Sequence, residues 1–462
     1  MKFSKKTSMI LAALILISMA SGCGKGGKEV NGKINISVGN WPDETTQSVL
    51  DTQNKMRDEF MAEHPDINII ADTYRFDTKT YTMKAAANQL PTLYKTWFTE
   101  IKQIIKAGYA ADITDGLKKH GFLDAINPEL MNLVKDDNGR YYGLPTDAYA
   151  QGLYINKKLF KEAGLAESDG RIKIPNTYDE LAEYAKIVTE KTGAAGFAIP
   201  TTNNCGGWHF LNIAWAFGTE FEKQNDEGKW EATFDTEEAR NALQYVKDLK
   251  WKYNVLPSDT VIDQQGLNKL FATNQAAMIF CNPPSSVLSM QYGMEIDDIF
   301  AARMPEGPKG RFSQMGGNLW MFSNAATPEQ IDAGLTWIEY TGFSPKISDK
   351  QLDNMRESYI KSKEQNEIIL DQDAFAVWVD QENISKTRAL KAEFTNVNHD
   401  DYADYYSFEG VTINPEPSAC AQQLYAVLDK CIQEVITNEN ADVDALITEA
   451  NKDFQLNHLD KQ

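Results

Sequence analysis

Apolar residues recur along this chain in two alternating patterns, one with a period of two residues and one with a period of three to four. Residues 33–39 carry apolar side chains at alternate positions, and residues 67–74 form the next strand-like run. Between them, residues 44–63 carry an apolar stripe with the helical period. This strand–helix–strand order predicts an α/β fold in which helices cover a sheet.

The same two patterns continue through the rest of the chain. Further strands are predicted at 92–97, 141–144, 196–200, 276–281, 299–304 and 318–323. Further helices are predicted at 100–106, 177–192, 236–253, 263–273 and 328–340, and residues 348–459 are predicted to be mainly helical. Thr177 and Glu180 have the spacing of a capping box, and Gly193 marks the end of that helix.

The first residues predict an export signal. Three lysines precede an apolar run at 9–17 and a string of mostly small residues that ends at Cys23. A membrane span needs about 20 apolar residues, and this run is about half as long. Residues 20–23, Ala-Ser-Gly-Cys, resemble the lipobox of bacterial lipoproteins. That resemblance implies removal of residues 1–22 and attachment of diacylglycerol to Cys23, although an ordinary signal with a stray cysteine is the alternative.

Residues 23–32 are rich in glycine and lysine and predict a flexible tether between the lipid anchor and the folded part. The folded part is therefore expected at the extracellular face of the cytoplasmic membrane. A chain of 462 residues is too long for one compact core, so at least two domains are expected. The formal net charge of −20 repels phosphate backbones and makes nucleic acid an improbable partner.

The remaining cysteines and the histidines show no metal-binding spacing. Cys205, Cys281, Cys420 and Cys431 form no CxxC pair, and no HExxH sequence is present. Neither a metal nor a cofactor is therefore expected. The four cysteines are interpreted as buried small apolar residues, with oxidation of one pair as the alternative.

Several ordered segments resemble a known family. The strongest reads Asp-Asn-Gly-Arg-Tyr-Tyr-Gly-Leu-Pro at 137–145 and continues at 152–165 with Gly-Leu-Tyr-Ile-Asn-Lys-Lys-Leu-Phe-Lys-Glu-Ala-Gly-Leu. Weaker matches follow in order at 175–181, 270–278, 304–310 and 316–317. Together they resemble the extracellular solute-binding proteins of ABC importers, in particular the sugar-binding group related to maltodextrin-binding protein.

The resemblance implies a type II periplasmic-binding-protein-like fold. In this fold, two α/β lobes are joined by hinge segments and close around a ligand. The N-terminal lobe is expected to comprise 34–146 and 298–345, and the C-terminal lobe 147–297 and 346–462. The family often has an aromatic residue and an acid where Trp97 and Glu100 stand, and it can supply a stacking aromatic residue near Trp378.

A sugar site combines aromatic rings, which stack on CH faces, with carboxylates and amides, which bind hydroxyl groups. In open α/β sheets, ligands bind beyond the carboxyl ends of strands. The candidates mostly follow predicted strands, and they are Asn40, Trp41, Asp43, Trp97, Glu100, Asp147, Tyr149, Asn204, Trp208, Asn282, Gly317 and Trp378.

The candidates differ in their alternative roles. Trp41 follows the first predicted strand and lies outside any apolar stripe, which favours ligand contact. Residues 203–209 are polar, glycine-rich and aromatic, which is unusual for a simple connection and favours Asn204 and Trp208. Asn282 has a helix N-cap as its alternative role.

The expected function is that of a monomeric receptor that captures an oligosaccharide and delivers it to ABC permease subunits, without catalysis. A peptide, a polyamine or glycerol phosphate is the alternative ligand, although arginines are absent from the candidate turns. A secreted glycoside hydrolase is the alternative of another class. No GxSxG or HExxH signature supports an enzyme.

Overall fold

The computed structural model describes residues 32–43, 47–99 and 101–461. The predicted export signal, Cys23, nearly all of the predicted tether and Glu100 lie outside the described residues.

The described residues form strands and helices in alternation through most of the chain. The strands are β1 Ile34–Val38, β2 Ile67–Ala71, β3 Leu93–Trp97, β4 Leu144–Ala150, β5 Gly152–Asn156, β6 Glu222–Gln224, β7 Trp230–Ala232, β8 Met278–Cys281, β9 Ile299–Ala302, β10 Glu306–Gly307, β11 Gly310–Phe322 and β12 Val411–Asn414. The helices are α1 Gln47–Glu63, α2 Tyr81–Ala86, α3 Ile101–Lys106, α4 Thr114–Lys119, α5 Phe122–Ala125, α6 Pro128–Leu133, α7 Lys157–Ala163, α8 Tyr178–Thr192, α9 Cys205–Phe217, α10 Glu237–Trp251, α11 Gln264–Ala272, α12 Val287–Met290, α13 Pro328–Tyr340, α14 Asp349–Glu364, α15 Gln381–Ala392, α16 Ala403–Ser407, α17 Ala421–Thr437 and α18 Val443–Asn457.

Two main sheets organise the molecule. In the larger sheet, β1 pairs in parallel with β2 and β3, while β11 runs antiparallel to β3 and β4. The smaller sheet has the order β8-β5-β9, and both of its pairings are antiparallel. Strand β11 is 13 residues long, and it pairs with β12 near its start, with β4 in its middle and with β3 at its end. This strand therefore connects the two halves of the molecule.

Each half has its own hydrophobic core, as expected for two α/β lobes. The N-terminal core packs β1–β3 against helices and contains Phe60 and Trp337. The C-terminal core contains Phe210, Leu243 and Leu428 from three helices. A smaller cluster, around Tyr154 and other residues of β5, β8 and β9, covers the other face of the smaller sheet. The chain crosses between the two cores in β4 and β11, as a pair of lobes joined by hinge segments requires.

Most predicted elements are present with shifted ends, and some differ in kind. The strand predicted at 196–200 is reduced to an isolated bridge between Ala198 and Ile279. Helix α8 begins after Thr177, whose hydroxyl accepts the Glu180 N–H at 3.1 Å, and Gly193 ends it with φ 75°. Residues 203–209, whose composition is unusual for a simple connection, lead into α9 and form its first turn. Strand β12 interrupts the region predicted to be mainly helical.

Helix α14, which lies in a stretch expected in the C-terminal lobe, contacts the N-terminal lobe. The Lys350 ammonium on α14 lies 2.8 Å from the Glu63 carboxylate on α1. The Gln351 amide donates to the Glu339 carbonyl of α13 at 2.6 Å. The physical reason is that α14 buries none of its residues, so its position follows from polar contacts rather than from a core-facing stripe.

Two further expectations concern cysteines and membrane spans. Cys281, Cys420 and Cys431 are buried, Cys205 is half-buried, and none of these four described thiols is in a disulfide. Within the described ranges, no helix combines the length and the apolar character that crossing a bilayer requires.

Candidate functional site

A cavity of about 510 Å³ lies beside the crossing strands. Its walls come from residues 146–149 of β4, from residues 282–284 after β8, and from residues 371–378 before α15. The volume falls within the range of about 300–1,000 Å³ that small-molecule sites occupy. We call the space between the two lobes, including this cavity, the cleft.

The N-terminal wall of the cleft is a row of three residues on adjacent strands. Trp97 on β3 is opposite Asn318 on β11, and Asn318 is opposite Asp147 on β4. The Trp97 side chain is 49% exposed, and its ring meets Phe76 edge-on at a centroid distance of 5.2 Å. The Asn318 amide donates to the Asp147 carboxylate at 2.9 Å. The wall thus places an open indole next to a carboxylate held by an amide.

Lys95 places a positive charge near this row. Its ammonium lies 5.0 Å from the centroid of the Trp320 ring, and its backbone N–H donates to the Asn40 side-chain oxygen at 3.0 Å. Surrounding protein lowers the pKa of Lys95, although the Asp147 charge opposes that shift. Burial raises the pKa of Asp147, and its hydrogen bonds from Asn318 and Thr146 oppose that shift. The Asn40 side chain therefore supports the N-terminal wall from behind, because it bonds the backbone of β3.

Two glycines of β11 let the hinge strands approach closely. A Cβ atom at Gly316 would lie 2.6 Å from the Tyr149 ring, so this ring rests against the glycine. A Cβ atom at Gly317 would lie 2.5 Å from both the Asp147 carbonyl oxygen and the Phe98 ring. Glycine is needed at both positions because any side chain would push the strands apart. This close approach places Tyr149 and Asp147 together at the base of the cleft.

The C-terminal wall begins at the first turn of α9. The Asp429 carboxylate on α17 accepts the backbone N–H groups of Asn204 and Gly207, both at 2.7 Å. A Cβ atom at Gly207 would lie 2.5 Å from the Tyr425 backbone, so this glycine lets the two helices meet. Burial raises the pKa of Asp429 to about 6, although the backbone donors oppose the shift.

Glu416 ties Trp208 into this wall. The Trp208 indole N–H donates to one Glu416 carboxylate oxygen at 3.3 Å, and the Tyr425 hydroxyl donates to the other at 3.1 Å. Burial raises the pKa of Glu416, and its hydrogen bonds from Thr99, Tyr425 and Trp208 oppose the shift.

Gln422, on the first turn of α17, bridges the lobes directly. Its amide nitrogen donates to the Thr99 hydroxyl at 3.0 Å. Its oxygen accepts from the Asn204 amide at 3.0 Å and from the Thr78 hydroxyl at 3.4 Å. Since Thr78 and Thr99 belong to the N-terminal lobe and Asn204 to the C-terminal lobe, the lobes are in contact in this structure.

The structure thus places most of the candidates around the cleft. Trp97, Asp147, Tyr149 and Gly317 line or support the N-terminal wall and the base, while Asn204 and Trp208 belong to the C-terminal wall. Asn282 and Trp378 line the 510 Å³ cavity. The Asn282 side-chain oxygen is buried and has no protein partner among the described residues, as expected of a group that awaits a ligand or water.

The remaining candidates lie elsewhere or are less open than predicted. Trp41 is only 2% exposed, stacks on Trp337 at 6.0 Å and donates its indole N–H to Asn54, so it belongs to the N-terminal core. The prediction that Trp41 contacts ligand is corrected, because its ring has no free face. Asp43 is exposed on the same turn. Trp378 faces the cavity but also packs on Phe343 at 4.5 Å.

Sequence reasoning missed several residues of these walls, among them Lys95, Asn318, Glu416, Gln422, Asp429 and Thr99. Lys95 and Asn318 alternate with buried residues along β3 and β11, and this alternation was a usable signal. Glu416 lies between two prolines, and Gln422 begins a helix; neither position has a local signature. Their contacts depend on tertiary packing.

Comparisons with known proteins agree with this geometry. The profile of a family described as bacterial extracellular solute-binding proteins matches residues 43–340. A putative ABC transporter periplasmic-binding protein of Escherichia coli is 25% identical over 255 residues, which cover 53% of this chain and 55% of that protein. An arabinooligosaccharide-binding protein of Halalkalibacterium halodurans is 29% identical over 133 residues, which cover 29% of this chain and 27% of that protein. The matches thus span about half the length of the first of these relatives and less of the second.

A solved structure shares the fold. The maltose-bound protein of T. maritima superposes with a TM-score of 0.67 at 19% sequence identity, over 91% of this chain and 99% of that one. This likeness shows that the two-lobed arrangement extends over nearly the whole chain.

Proposed function

Because this chain belongs to the family of bacterial extracellular solute-binding proteins, we propose that it captures an oligosaccharide in its cleft and delivers it to ABC permease subunits. The observation that carries the proposal is the N-terminal wall. There, an indole with 49% of its surface exposed lies in register with an Asn318–Asp147 hydrogen-bonded pair. An open aromatic face beside oriented polar groups suits the CH face and hydroxyls of a sugar.

The charges of the cleft favour a neutral guest. Two cations that line the cavity are already engaged, since Lys391 pairs with Asp373 at 3.2 Å and Arg388 donates to the Asp371 carbonyl at 2.8 Å. Glycerol phosphate would therefore have to compete with internal partners. The names of the arabinooligosaccharide-binding relative and the maltose-bound structure add support for a sugar over a peptide or polyamine.

The proposed role is binding without catalysis, since the matching family is one of binding proteins. A glycoside hydrolase would release reducing ends from the bound oligosaccharide. We expect no release over hours of incubation with any sugar that binds. Turnover that disappears in Asp147→Asn or Glu416→Gln, in protein that still binds, would instead favour the hydrolase.

The proposal includes a lipid anchor at Cys23, which would hold a monomeric receptor at the extracellular face of the cytoplasmic membrane. In cells expressing the full chain, the wild type is expected in the membrane fraction. The Cys23→Ala variant is expected to lose the diacylglycerol mass, and its release from membranes would follow. An intact mass without lipid on the wild type would contradict the anchor.

A thermal-shift screen of defined oligosaccharides tests the binding role. A sugar present at 100 times its Kd should add about 2.7 kcal/mol to the free energy of unfolding. The panel contains maltotetraose, xylotetraose, laminaritetraose and arabinotetraose, with glycerol phosphate and putrescine as representatives of the alternatives. At the same sugar concentration, Trp97→Ala should reduce the stabilisation to about 0.9 kcal/mol, whereas Trp251→Ala, on the outer surface of α10, should retain it. A response only to putrescine or glycerol phosphate would overturn the sugar assignment.

A further inference from the structure

A second depression lies on the C-terminal lobe, outside the cleft. It has a volume of about 660 Å³ and is bounded by the end of α9, the β6–β7 hairpin, the start of β11 and the loop at 414–418. The partly exposed rings of Trp215, Trp230 and Phe312 line it. We call this depression the C-lobe groove.

A buried carboxyl group lies in the C-lobe groove with half of its hydrogen-bonding capacity unused. One oxygen of Glu222 accepts the Ala419 backbone N–H at 2.8 Å. The other oxygen, Oε2, is buried and has no partner among the described residues. Burial raises the pKa of Glu222 to about 7, and the backbone donors of Ala419 and Ser418 only partly oppose it. Such an oxygen is costly to bury unless a donor reaches it.

A second unpartnered group lies three residues away in sequence and lines the same groove. Thr219 is only 4% exposed, and its hydroxyl has no partner among the described residues. Its backbone N–H is used by the Ala214 carbonyl at 2.9 Å, so the free hydrogen-bonding capacity belongs to the side chain. A hydroxyl both donates and accepts, whereas an ionised carboxylate only accepts. A ligand bearing several hydroxyl groups can satisfy both.

We propose that the C-lobe groove is a second saccharide site, in which a sugar ring packs on Trp230 and Trp215 while its hydroxyl groups bond Glu222 and Thr219. The choice of a sugar over another amphipathic ligand rests on the proposed function of the cleft. Glu416 lines the groove and also holds Trp208 in the C-terminal wall of the cleft, but the two sites share no tryptophan and can therefore be followed separately.

Fluorine NMR of fluorotryptophan-labelled protein distinguishes the two sites. Trp230→Phe and Trp215→Phe assign the groove signals, and Trp97→Phe assigns a cleft signal. The probes are maltotetraose, xylotetraose, laminaritetraose and arabinotetraose, each raised to about 20 mM to reveal a millimolar site. At least one probe is expected to shift the Trp230 signal in a saturable titration, and the shift should persist in Trp97→Ala.

Isosteric variants test the two polar groups. Thr219→Val and Glu222→Gln should each weaken the titration at Trp230 by roughly three- to tenfold and leave the titration at Trp97 unchanged. Thr96→Val is the matched control and should leave the titration at Trp230 unchanged. Like Thr219, Thr96 is buried (1% exposed), and its hydroxyl lacks a partner among the described residues, but Thr96 lies on β3 and not in the groove. Should Thr219→Val fail to fold, Glu222→Gln gives the same test.

The outcomes separate the two proposals. A silent Trp230 with all four sugars overturns the groove site, and if Trp97 responds, the proposed function stands. A Trp230 that responds while Trp97 stays silent supports the groove and contradicts the proposed function. A Thr219→Val variant that titrates like the wild type also overturns the groove proposal.

Discussion

The two walls of the cleft use tryptophan in opposite ways. On the N-terminal wall, Trp97 stands on a sheet strand with 49% of its surface exposed, next to the Asn318–Asp147 pair. On the C-terminal wall, Trp208 is half-buried on a helix, and its indole N–H is bonded to the half-buried Glu416. One ring is open for stacking, and the other is held in a network.

This difference predicts that the two walls have different roles, one in ligand affinity and the other in the stability and closure of the cleft. A strand position fixed by cross-strand pairing presents its side chain without depending on an ionisable group. The C-terminal wall depends on carboxyl groups, since Asp429 orders the first turn of α9 and Glu416 holds Trp208. We therefore expect changes in the N-terminal wall to alter ligand affinity, and changes in the C-terminal wall to alter stability, pH dependence and closure.

The largest expected effect separates the core behind the N-terminal wall from the wall itself. Trp41→Ala should lower the free energy of unfolding by about 3–5 kcal/mol, because the ring is 2% exposed and packs on Trp337. Urea denaturation measures this loss, and titration of the remaining folded protein should give nearly unchanged sugar affinity. A Trp41→Ala variant that is as stable as the wild type but has lost its sugar affinity would show that Trp41 contacts the ligand.

The second effect concerns the C-terminal wall and pH. Burial raises the pKa of Asp429 from 3.8 to about 6, so the folded protein retains a proton that the unfolded chain releases. The resulting stabilisation is complete below about pH 4 and is lost as the pH rises through about 6. The wild type should thus lose about 2 kcal/mol relative to Asp429→Asn between pH 4 and pH 7.

Urea denaturation of both proteins across this range measures the difference and removes contributions from other titrating groups. A wild type that instead gains stability relative to Asp429→Asn as the pH rises would show that the amides of α9 outweigh burial. The C-terminal wall would then be ordered by an ionised carboxylate, and no loss of stability from Asp429 should appear near neutral pH.

The third effect belongs to the N-terminal wall alone. Trp97→Ala should weaken the affinity for the bound sugar about thirtyfold, or about 2 kcal/mol, because it removes the open stacking face. Its free energy of unfolding should change by no more than about 1 kcal/mol, since half of the side chain is already in water. Calorimetric titration measures the affinity. An equal loss in Trp208→Phe would abolish the contrast between the walls.

The sequence predicted the framework better than the walls. Period-two and helical patterns located β1, α1, β2 and α8 because those elements each bury one face. Trp97 and Asp147 were predicted as candidates because they stand at or after the ends of predicted strands and, for Trp97, because of the family resemblance. The same reasoning gave Trp41 the wrong role, since a residue in a turn can fold back onto the core, and neighbouring residues in sequence do not reveal that Trp337 receives it.

Long-range contacts set the rest of the site. The glycines at 206 and 207 allow α9 to pack against α17, more than 200 positions away. Glu416 and Gln422 take part only because that packing places them opposite Thr99. A pattern within a short window contains no information about such partners.

The smallest expected effect tests the contact between the walls. Gln422→Ala removes the hydrogen bond to Thr99, so the closed arrangement loses about 0.5–1 kcal/mol and sugar affinity falls about two- to fivefold. A double-mutant cycle with Thr99→Val should give a coupling energy in sugar binding of similar size. The cycle with Asn204→Ala serves as the control, because Asn204 and Gln422 belong to the same lobe and should couple in unfolding more than in binding.

Additive effects of Gln422→Ala and Thr99→Val on affinity would mean that the bridge forms equally with and without ligand. Closure would then be driven by the sugar's own contacts with the two walls.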